Sequence, residues 1–385
     1  MRLGDCCKTN LHTYSDKEKW SLIRYLDTGS ITEGRIDEIQ TLYPGVDKIP
    51  SRARRKASVG DILFSTVRPN QKHYGIIEAG TENLLVSTGF TVVTVDTTIA
   101  YPYFIYYYLT QSSVIESLQA IAEQSTSTYP SIKPSDIEDI ELDLPELETQ
   151  KKIGSTLRML DRKIALNEEI NDNLELQAQS LVTEYIEKTP YTTHLSDIIT
   201  FDNGFAFQSK TYLKQGKYKI ITIKNVQDGR IDSTGTAFIN ELPQCVRENC
   251  ILSIGDILLS LTGNVGRVGI VYEKNLLLNQ RVARVVPFDK RLLPFLYFVF
   301  RQPSIKTQLE MIAKGTAQLN LSPIEALNLT ISYEQSSATA LSQSLEALYK
   351  IIISNQQENL LLAQLRDTLL PKLMSGKIDV SSVQL

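Results

Sequence analysis

The sequence has little of what builds metal centres and disulfide frameworks. It holds four cysteines and three histidines among 385 residues. Cys6 and Cys7 are adjacent, so they are poorly placed to bond to each other. Cys245 and Cys250 lack the spacing of a metal site, and the histidines lie far apart in the chain. These features disfavour a metal centre and predict a reducing, cytoplasmic environment.

Long hydrophobic runs are also missing. The two most apolar runs, residues 101–109 and 292–300, each have nine residues. A helix that crosses a bilayer needs about 20 apolar residues. We therefore expect no membrane span, and the first residues do not have the pattern of a signal peptide.

Sequence motifs of catalysis are missing as well. There is no Asn/Asp-Pro-Pro-aromatic motif for holding a flipped base, no convincing carboxylate–lysine nuclease arrangement and no Gly-Lys-Ser/Thr phosphate loop. The nearest glycine-rich segment is residues 263–269, which contain no lysine and precede a predicted strand. We interpret it as a β-turn that allows close approach of the backbone, in preference to a nucleotide cradle.

The most regular feature that is present is a heptad pattern that occurs twice. It is kept for roughly five heptads from residue 153 and recurs 188 residues later, which predicts a coiled coil. Each stripe is interrupted by two asparagines, and a buried asparagine costs stability but fixes register. The first stripe is Ile153, Leu157, Leu160, Ile164, Asn167, Asn171, Leu174, Ala178, Leu181 and Tyr185; the second is Leu341, Leu345, Leu348, Ile352, Asn355, Asn359, Leu362, Arg366, Leu369 and Leu373.

Antiparallel pairing of the two helices would bring the four asparagines together about a pseudo-twofold axis. Asn167 would face Asn359, and Asn171 would face Asn355. The outer layers would be Ile153 with Leu373, Leu157 with Leu369, Ile164 with Leu362, Leu174 with Ile352, and Leu181 with Leu345. The alternative is two unrelated amphipathic helices, each packed on its nearest domain.

The duplication extends beyond the helices. The Gly-Asp turn and apolar strand of residues 59–65 recur at 254–260, and the proline-initiated aromatic segment 102–109 recurs at 294–300. We therefore predict an α+β fold with two similar domains and two long helices forming an antiparallel coiled coil. The predicted boundaries are 1–145 and 190–332 for the domains, and 146–189 and 333–385 for the helices.

Local patterns predict the other elements. Strands are expected at 90–95, 220–223 and 282–286, and helices at 103–122 and 295–313, whose aromatic residues should pack in the core. The alternating segments 137–144 and 324–331 predict edge strands. Pro145 and Pro190 should mark the two ends of the first long helix.

Charge is unevenly distributed over a chain whose net charge is −4. Residues 1–145 carry 14 basic and 19 acidic side chains, a net of −5, whereas residues 190–332 carry 16 and 11, a net of +5. A protein that held DNA alone by counterion release would usually be more basic. Binding to DNA would therefore need basic loops or a basic partner.

Several segments resemble the specificity subunits of bacterial and archaeal type I restriction–modification systems. The order of these segments, on two domain–helix units, carries the resemblance. They are LPELETQKKI at 144–153 leading into LDRKI at 160–164, GFAFQSK at 204–210, NQRVAR at 279–284, and LRDTLLPKLMSGKI at 365–378.

The resemblance implies a non-catalytic reader of DNA. Two target-recognition domains would each read one half of a split double-stranded sequence, while the coiled coil sets the spacing and docks two modification subunits. The chain itself would bind no cofactor. The modification subunits would carry S-adenosylmethionine and methylate adenine. Two restriction subunits, where present, would bring ATP and Mg²⁺ for translocation and cleavage.

DNA contacts should come from loops, with arginine favoured at guanine and asparagine or glutamine at adenine. In the first domain a basic run precedes one polar loop, and a second polar loop precedes the exit segment. The alternative for the basic run is a solvated face. The candidates are Arg52, Arg54, Arg55 and Lys56 in the run, Thr66, Arg68, Asn70 and Lys72 in the first loop, and Ser125, Ser127 and Tyr129 in the second.

In the second domain the loop 314–320 corresponds in position to 124–130. Residues 279–281 have an alternative role, since they could brace the core at the start of a strand. The candidates are Ser209, Lys210, Thr262, Asn264, Arg267, Asn279, Gln280, Arg281, Lys314, Gln318 and Asn320.

Two other functions stay open at this point. One is a standalone DNA methyltransferase or nuclease with divergent motifs, which would transfer a methyl group or cut DNA without a partner. The other is a coiled-coil scaffold with no role on DNA, which would show no sequence-dependent retention of a duplex.

Overall fold

A computed structural model of the chain describes residues 1–125, 129–315 and 319–380. The chain divides into two compact units, Met1–Arg162 with Ala363–Leu385 (unit 1) and Lys163–Leu362 (unit 2). Both boundaries fall inside the long helices. Each unit therefore contains one mixed α and β domain together with a stretch of each long helix.

The strands of unit 1 form three sheets. The sheet orders are β1-β10-β7-β8, β5-β2-β9-β6 and β3-β4, and the pairing is antiparallel except between the second and ninth strands, which run parallel. The strands are β1 (Cys7–Thr9), β2 (Ile23–Leu26), β3 (Ile31–Thr32), β4 (Arg35–Ile36), β5 (Gln40–Leu42), β6 (Ala53–Lys56), β7 (Ile62–Ser65), β8 (Tyr74–Ile76), β9 (Leu84–Ser87) and β10 (Phe90–Val95).

The helices of unit 1 follow the strands in the chain. They are α1 (Pro102–Leu109), α2 (Ser112–Glu123), α3 (Pro134–Glu138) and the first part of α4 (Leu147–Lys188). The aromatic side chains Phe104, Tyr106 and Tyr107 are buried in one core with Ile153 and Leu157 of α4. This confirms that the aromatic run packs in the core, because burial of such large apolar surfaces is strongly favourable.

Unit 2 has a related but larger set of strands. Its sheet orders are β12-β20-β17-β18-β15-β14, β16-β13-β19 and β11-β21. The strands are β11 (Thr192–His194), β12 (Ile199–Asn203), β13 (Tyr218–Ile221), β14 (Val226–Gln227), β15 (Gly229–Ile231), β16 (Phe238–Ile239), β17 (Ile257–Ser260), β18 (Val268–Ile270), β19 (Leu276–Leu278), β20 (Val282–Pro287) and β21 (Thr330–Ser332). The helices are α5 (Leu293–Phe300), α6 (Pro303–Ile312), α7 (Pro323–Leu327), the second part of α4 and the first part of α8 (Gln335–Met374), whose last residues belong to unit 1.

The two domains share a common set of strand pairings, as the sequence repeats predict. The run β10-β7-β8 in unit 1 matches β20-β17-β18 in unit 2. The parallel pair β2 and β9 matches the parallel pair β13 and β19. Gly60 and Gly255, which precede β7 and β17, have φ angles of +90° and +91°, a conformation that favours glycine.

The long helices pair antiparallel through their asparagines, as predicted. Within unit 2, Asn167 Nδ2 donates to Asn359 Oδ1 at 2.8 Å, and Asn355 Nδ2 donates to Asn171 Oδ1 at 2.8 Å. Asn171 Nδ2 also reaches the carbonyl of Ile352 at 3.4 Å. Within unit 1, Ile153, Leu157 and Leu373 are buried in one core, and Leu369 packs against it.

The seam is partly open to solvent near the end of α4. Leu181, predicted to pair with Leu345, is 41% exposed, whereas Leu345 is fully buried. Leu181 lines a surface cavity with Tyr185 and Leu341, which are also seam residues. The neighbouring Val182 is fully buried because the adjacent face of α4 packs in the core of the second domain.

The two long aromatic helices predicted at 103–122 and 295–313 are each broken in two. Gln111 and Gln302 lie in extended conformations and begin the second helix of each pair. In unit 2 the break is explained by Pro303, which disfavours a helical conformation in the preceding residue. Unit 1 has the same break without a proline.

The predicted edge strands at 137–144 and 324–331 were largely wrong. Residues Pro134–Glu138 and Pro323–Leu327 are short helices that begin at a proline, and only Thr330–Ser332 forms a strand, paired with β11. Ile137 and Ala326 are fully buried, so their apolar character reflects a helical face. Short apolar runs cannot be assigned by period alone.

Three predicted strands and the bounds of the first long helix were confirmed. β10 spans Phe90–Val95 as predicted, β13 and β20 lie within two residues of their predicted bounds, and α4 lies between Pro145 and Pro190. None of the helices in the described part of the chain is long and apolar enough to span a membrane.

Candidate nucleic-acid interface

In unit 1 the structure brings the two predicted polar loops together. Val67 and Ser131 form an isolated β-bridge, which joins the loop after β7 to the segment after α2. The Arg68 amide donates to the Pro130 carbonyl at 2.9 Å, and the Ile132 amide donates to the Thr66 carbonyl at 2.9 Å. The two loops therefore form one surface.

Arg68 has the most unusual position on this surface. It is exposed, its φ angle is +49°, and its guanidinium lies 5.2 Å from the centre of the Tyr129 ring. Tyr129 is itself 57% exposed. A guanidinium at this distance from an aromatic ring makes a cation–π contact, which favours its position beside Tyr129 at the surface.

The other candidates of this loop make more local contacts. Thr66 Oγ1 donates to the Gly89 carbonyl at 2.9 Å, and the Asn70 amide donates to Gln119 Oε1 at 3.2 Å. Lys72 forms an ion pair with Glu33. Asn70 and Lys72 remain exposed, so both can still reach a phosphate.

The basic run of the first domain is largely structural. Arg55 on β6 donates to Asn10 and to the Phe90 carbonyl, and burial lowers its pKa. Lys56 pairs with Glu18 and lies over the Trp20 ring. Arg54 is half-buried, whereas Arg52 is exposed. The last three cations of the run are therefore half-buried on β6, and Arg52, which precedes the strand, is the most accessible cation.

The second predicted loop is described only in part. Ser125 Oγ accepts a hydrogen bond from the Ser131 amide at 3.3 Å, which helps to close the loop. Ser127 lies outside the described residues, as does Gln318 in the corresponding loop of the second domain.

Unit 2 joins its two loops in the same way. Thr262 and Asn320 form an isolated bridge, and Thr262 Oγ1 donates to Asn320 Oδ1 at 2.8 Å. The Gly263 amide donates to the Leu319 carbonyl at 2.9 Å. Lys314 bridges to Asn320 through its backbone and forms an ion pair with Glu325. Thr262 thus serves the loop junction, while Asn320 and Lys314 lie at its outer side.

The glycine-rich segment of unit 2 carries two further candidates. Asn264 is exposed, and the half-buried Arg267 donates from Nη1 to Gln227 Oε1 at 2.7 Å. The contact between Arg267 and Gln227 was not predicted, because nothing in the sequence connects a β14 residue to this loop. Gln227 extends the candidate surface.

Residues 279–281 divide between the two roles considered for them. Asn279 is buried, and its amide donates to the Ile221 carbonyl at 3.1 Å, so it braces the start of β20. Gln280 and Arg281 are exposed. Ser209 and Lys210 are also exposed, in a single 3₁₀ turn at Ser209–Thr211. Four of these five side chains are accessible to a ligand.

The two long helices of unit 2 are joined by a polar network. The sequence predicted its asparagines but not its charged residues. Asn167 Nδ2 donates to Glu358 Oε2 at 2.7 Å as well as to Asn359, and Lys163 Nζ lies 3.1 Å from the same Glu358 oxygen. The hydrogen bond from Asn167 and the Lys163 ammonium lower the pKa of Glu358. The seam residues occupy positions a and d of the heptad, with Asn167 at d and Asn359 at a. Lys163 and Glu358 then both occupy g positions, where charges set register and partner.

Side chains that could hold a metal ion are not grouped at these surfaces. Within residues 1–125, 129–315 and 319–380, no three or more histidine, cysteine, aspartate or glutamate side chains cluster as a metal site would need. The four cysteines are free thiols.

Comparison with known proteins points to one family. Residues 49–176 and 191–362 match the type I restriction modification DNA specificity domain. The chain is 23% identical to the HindI type I restriction enzyme specificity subunit of Haemophilus influenzae, over 98% of both chains, and 25% identical to the MjaIX specificity subunit of Methanocaldococcus jannaschii, over 73% and 70%. A crystal structure of a type I restriction–modification S subunit from M. genitalium has the same fold, with a TM-score of 0.53, 18% identity and coverage of 97% and 95%.

Proposed function

Because the chain belongs to the family of type I restriction–modification specificity subunits, we propose that each of its two domains reads one half of a split double-stranded DNA target. The family is non-catalytic and binds no cofactor itself. The reading domains are residues 1–145 and 190–332, and the helices 146–189 and 333–385 join them.

The observation that carries this proposal is the matched pair of loop surfaces. Each domain joins the loop after one strand to the segment before its short proline-initiated helix, with Arg68 bonded to Pro130 in one and Gly263 bonded to Leu319 in the other. The backbone is shared, but the exposed side chains differ. A common backbone supports a common way of docking, and different side chains support different base sequences.

The coiled coil sets the spacing between the two half-sites in this proposal. α4 has 42 residues and α8 has 40, and the asparagine pairs fix how the two helices align. A shift of register would move every layer of the seam. Buried polar pairs are the usual means of preventing such a shift.

An exposed apolar face on the helix pair supports docking of modification subunits. On α4 and α8, the e positions contact the second domain, through pairs such as Glu168 with Arg230. The c and g positions face away and carry large apolar side chains, each more than a third exposed. They are Leu166, Ile170, Ile351 and Leu361. Such a patch fits the apolar face of helices from a methyltransferase subunit.

The assembled complex would be an adenine methyltransferase in the cytoplasm. Two modification subunits supply S-adenosylmethionine, and two restriction subunits, where present, supply the ATP- and Mg²⁺-dependent endonuclease. The basic charge that the first domain lacks would then come from the partners.

The proposal is tested with the purified chain and with its complex with modification subunits. The chain alone should transfer no methyl group, and the complex should retain a duplex in a sequence-dependent way. Methyl transfer by the chain alone would favour an enzyme, and retention without sequence dependence would favour a scaffold. Arg267→Ala should relax recognition at one half-site only.

Docking is tested separately. Ile170→Lys with Leu361→Lys should release the modification subunits in gel filtration. Leu176→Lys is the matched control, because Leu176 is 66% exposed at an f position, outside the proposed face. Equal loss of the subunits with the control would contradict this docking face.

A further inference from the structure

The two domains place one residue at the same point of the joined loops. In unit 1 this residue is Arg68, whose amide bonds to the Pro130 carbonyl, and in unit 2 it is Gly263, whose amide bonds to the Leu319 carbonyl, both at 2.9 Å. The surrounding contacts also match. In unit 1 the Ser65 hydroxyl donates to the Val67 carbonyl, and in unit 2 the Ser260 hydroxyl donates to the Thr262 carbonyl.

The backbone at this point is left-handed in both domains. The φ angle is +49° at Arg68 and +75° at Gly263. Glycine adopts this conformation readily, whereas a residue with a Cβ atom is strained in it. The first domain therefore holds a strained arginine where its duplicate shows that glycine fits. Strained residues of this kind concentrate at functional sites.

The Arg68 side chain is arranged for contact with a ligand. It is exposed and stacks on the Tyr129 ring at 5.2 Å. Among the described residues, no carboxylate forms an ion pair with its guanidinium, in contrast to Lys56 and Lys72, which pair with Glu18 and Glu33. The planar edge of a guanidinium carries its N–H donors, which stay available for hydrogen bonds when its face lies against a ring.

We infer that Arg68 is a specificity-determining residue that reads a guanine in the half-site of the first domain. A guanidinium can donate two hydrogen bonds to O6 and N7 of guanine in the major groove, which is the commonest specific contact of arginine with DNA. Tyr129 acts as a positioning residue. Gly263 offers no side chain at the matching point, so the second domain does not read guanine there. This inference rests on the proposed function.

Methylation mapping of cells that express the complex tests this inference, because the motif is read from the methylated positions themselves. The wild-type chain should give a split motif, and Arg68→Ala should make one G·C position of one half degenerate. Arg68→Gly should do the same without lowering the melting temperature, because glycine suits this backbone and relieves its strain. Arg2→Ala is the control, since Arg2 is an exposed arginine of the same domain outside the candidate loops.

A duplex in which that guanine is replaced by 7-deazaguanine isolates the contact. Loss of the N7 acceptor leaves one guanidinium donor without a partner and should weaken binding of the wild-type complex by about 5-fold to 150-fold. It should have no effect on the Arg68→Ala complex. Tyr129→Ala should weaken the guanine preference, and Tyr129→Phe should restore it.

The outcomes separate the inference from the proposed function. A wild-type complex that methylates no split motif would contradict the proposed function. A split motif that Arg68→Ala leaves unchanged, or weakens equally at every position, would overturn the guanine contact alone. A lower melting temperature for Arg68→Gly would show that Arg68 serves the fold, and would also overturn it.

Discussion

Asn167 and Asn359 face each other across the paired helices, with Nδ2 of Asn167 donating to Oδ1 of Asn359 at 2.8 Å. Asn167 is almost completely buried. A buried amide with a partner is tolerated, whereas the same amide without one is costly. The pair therefore favours a single alignment of the two helices over shifted ones.

Asn167→Leu should destabilise the protein by about 1–3 kcal/mol, because it leaves Asn359 Oδ1 without its donor and removes one of the two partners of Glu358. The double variant Asn167→Leu with Asn359→Leu should recover stability but lose the unique register. Chemical denaturation measures the first effect. Base preference in the methylation motif should be unchanged.

Register itself can be measured with spin labels at Asp172 and Ser354, in a Cys245→Ser background that removes the exposed thiol. The wild-type helices should give one narrow distance distribution, and the double leucine variant a broad one. A single narrow distribution in both would show that the asparagines do not fix the register.

The ion pair between Arg301 and Glu175 should be important for attaching α4 to the second domain. Arg301 Nη2 lies 2.6 Å from Glu175 Oε2, and both side chains are 17% exposed. Glu175→Leu should cost ~3 kcal/mol, because the arginine loses its main partner while it stays buried. Glu175→Leu with Arg301→Met should recover most of the loss in urea unfolding. A double variant no more stable than the single one would contradict this account.

Gly154 should be required for close packing of α4 on α1. A Cβ atom there would lie 2.9 Å from the Phe104 amide nitrogen and from the Tyr101 ring. Gly154→Ala should therefore cost about 1–3 kcal/mol through a forced backbone shift. Gly29→Ala is the control, since nothing lies within 4 Å of its added Cβ. Thermal unfolding should separate the two, and equal melting temperatures would contradict the close approach.

Glu334 should make the start of α8 sensitive to acid. Its carboxylate accepts hydrogen bonds from the hydroxyl and amide groups of Ser337 and Ser336, which lower its pKa to about 2. A depressed pKa stabilises the folded state above the unfolded value near 4.5, and this contribution is lost as pH falls through about 2. An NMR titration of the carboxyl carbon should show this low midpoint.

The matched variant for this effect is Glu334→Gln, which should remove the change in stability between pH 4.5 and pH 2 that belongs to this group. Glu310→Gln, on the exposed face of α6, serves as the control. A carboxyl that titrates near pH 4.5, as an unperturbed glutamate does, would show that the cap does not form.

The long helices and their pairing were the features that the sequence predicted best, because their patterns extend over many residues. Heptads marked both long helices, and the asparagine positions predicted which residues face each other across 192 positions of chain, as for Asn167 and Asn359. Regular patterns carry such information because every turn of a helix repeats it. The heptads did not predict that Leu181 is 41% exposed, because solvent access depends on how neighbouring elements cover the seam.

Short elements were predicted less well, for local reasons. Residues 137–144 alternate as a strand would, but Pro134 begins a helical turn that buries Ile137. The break at Gln111 has no proline or glycine to mark it. In both cases tertiary packing decides between conformations that are locally similar in free energy.

The sequence predicted which loops form the candidate interface, but it did not predict which residues contact each other there. The loops around Arg68 and Tyr129 were predicted separately, and the structure joins them. The bond from Arg267 to Gln227 and the left-handed backbone of Arg68 could not be predicted, because both depend on how strands far apart in the chain are placed.

A genome-wide map of methylated adenine, in cells with and without this chain beside its modification subunits, tests the central claim most directly. The account predicts methylation that depends on the chain and falls within a split sequence, with two different halves separated by a fixed number of unspecified base pairs. Methylation in one continuous motif, or methylation that persists without the chain, would contradict it.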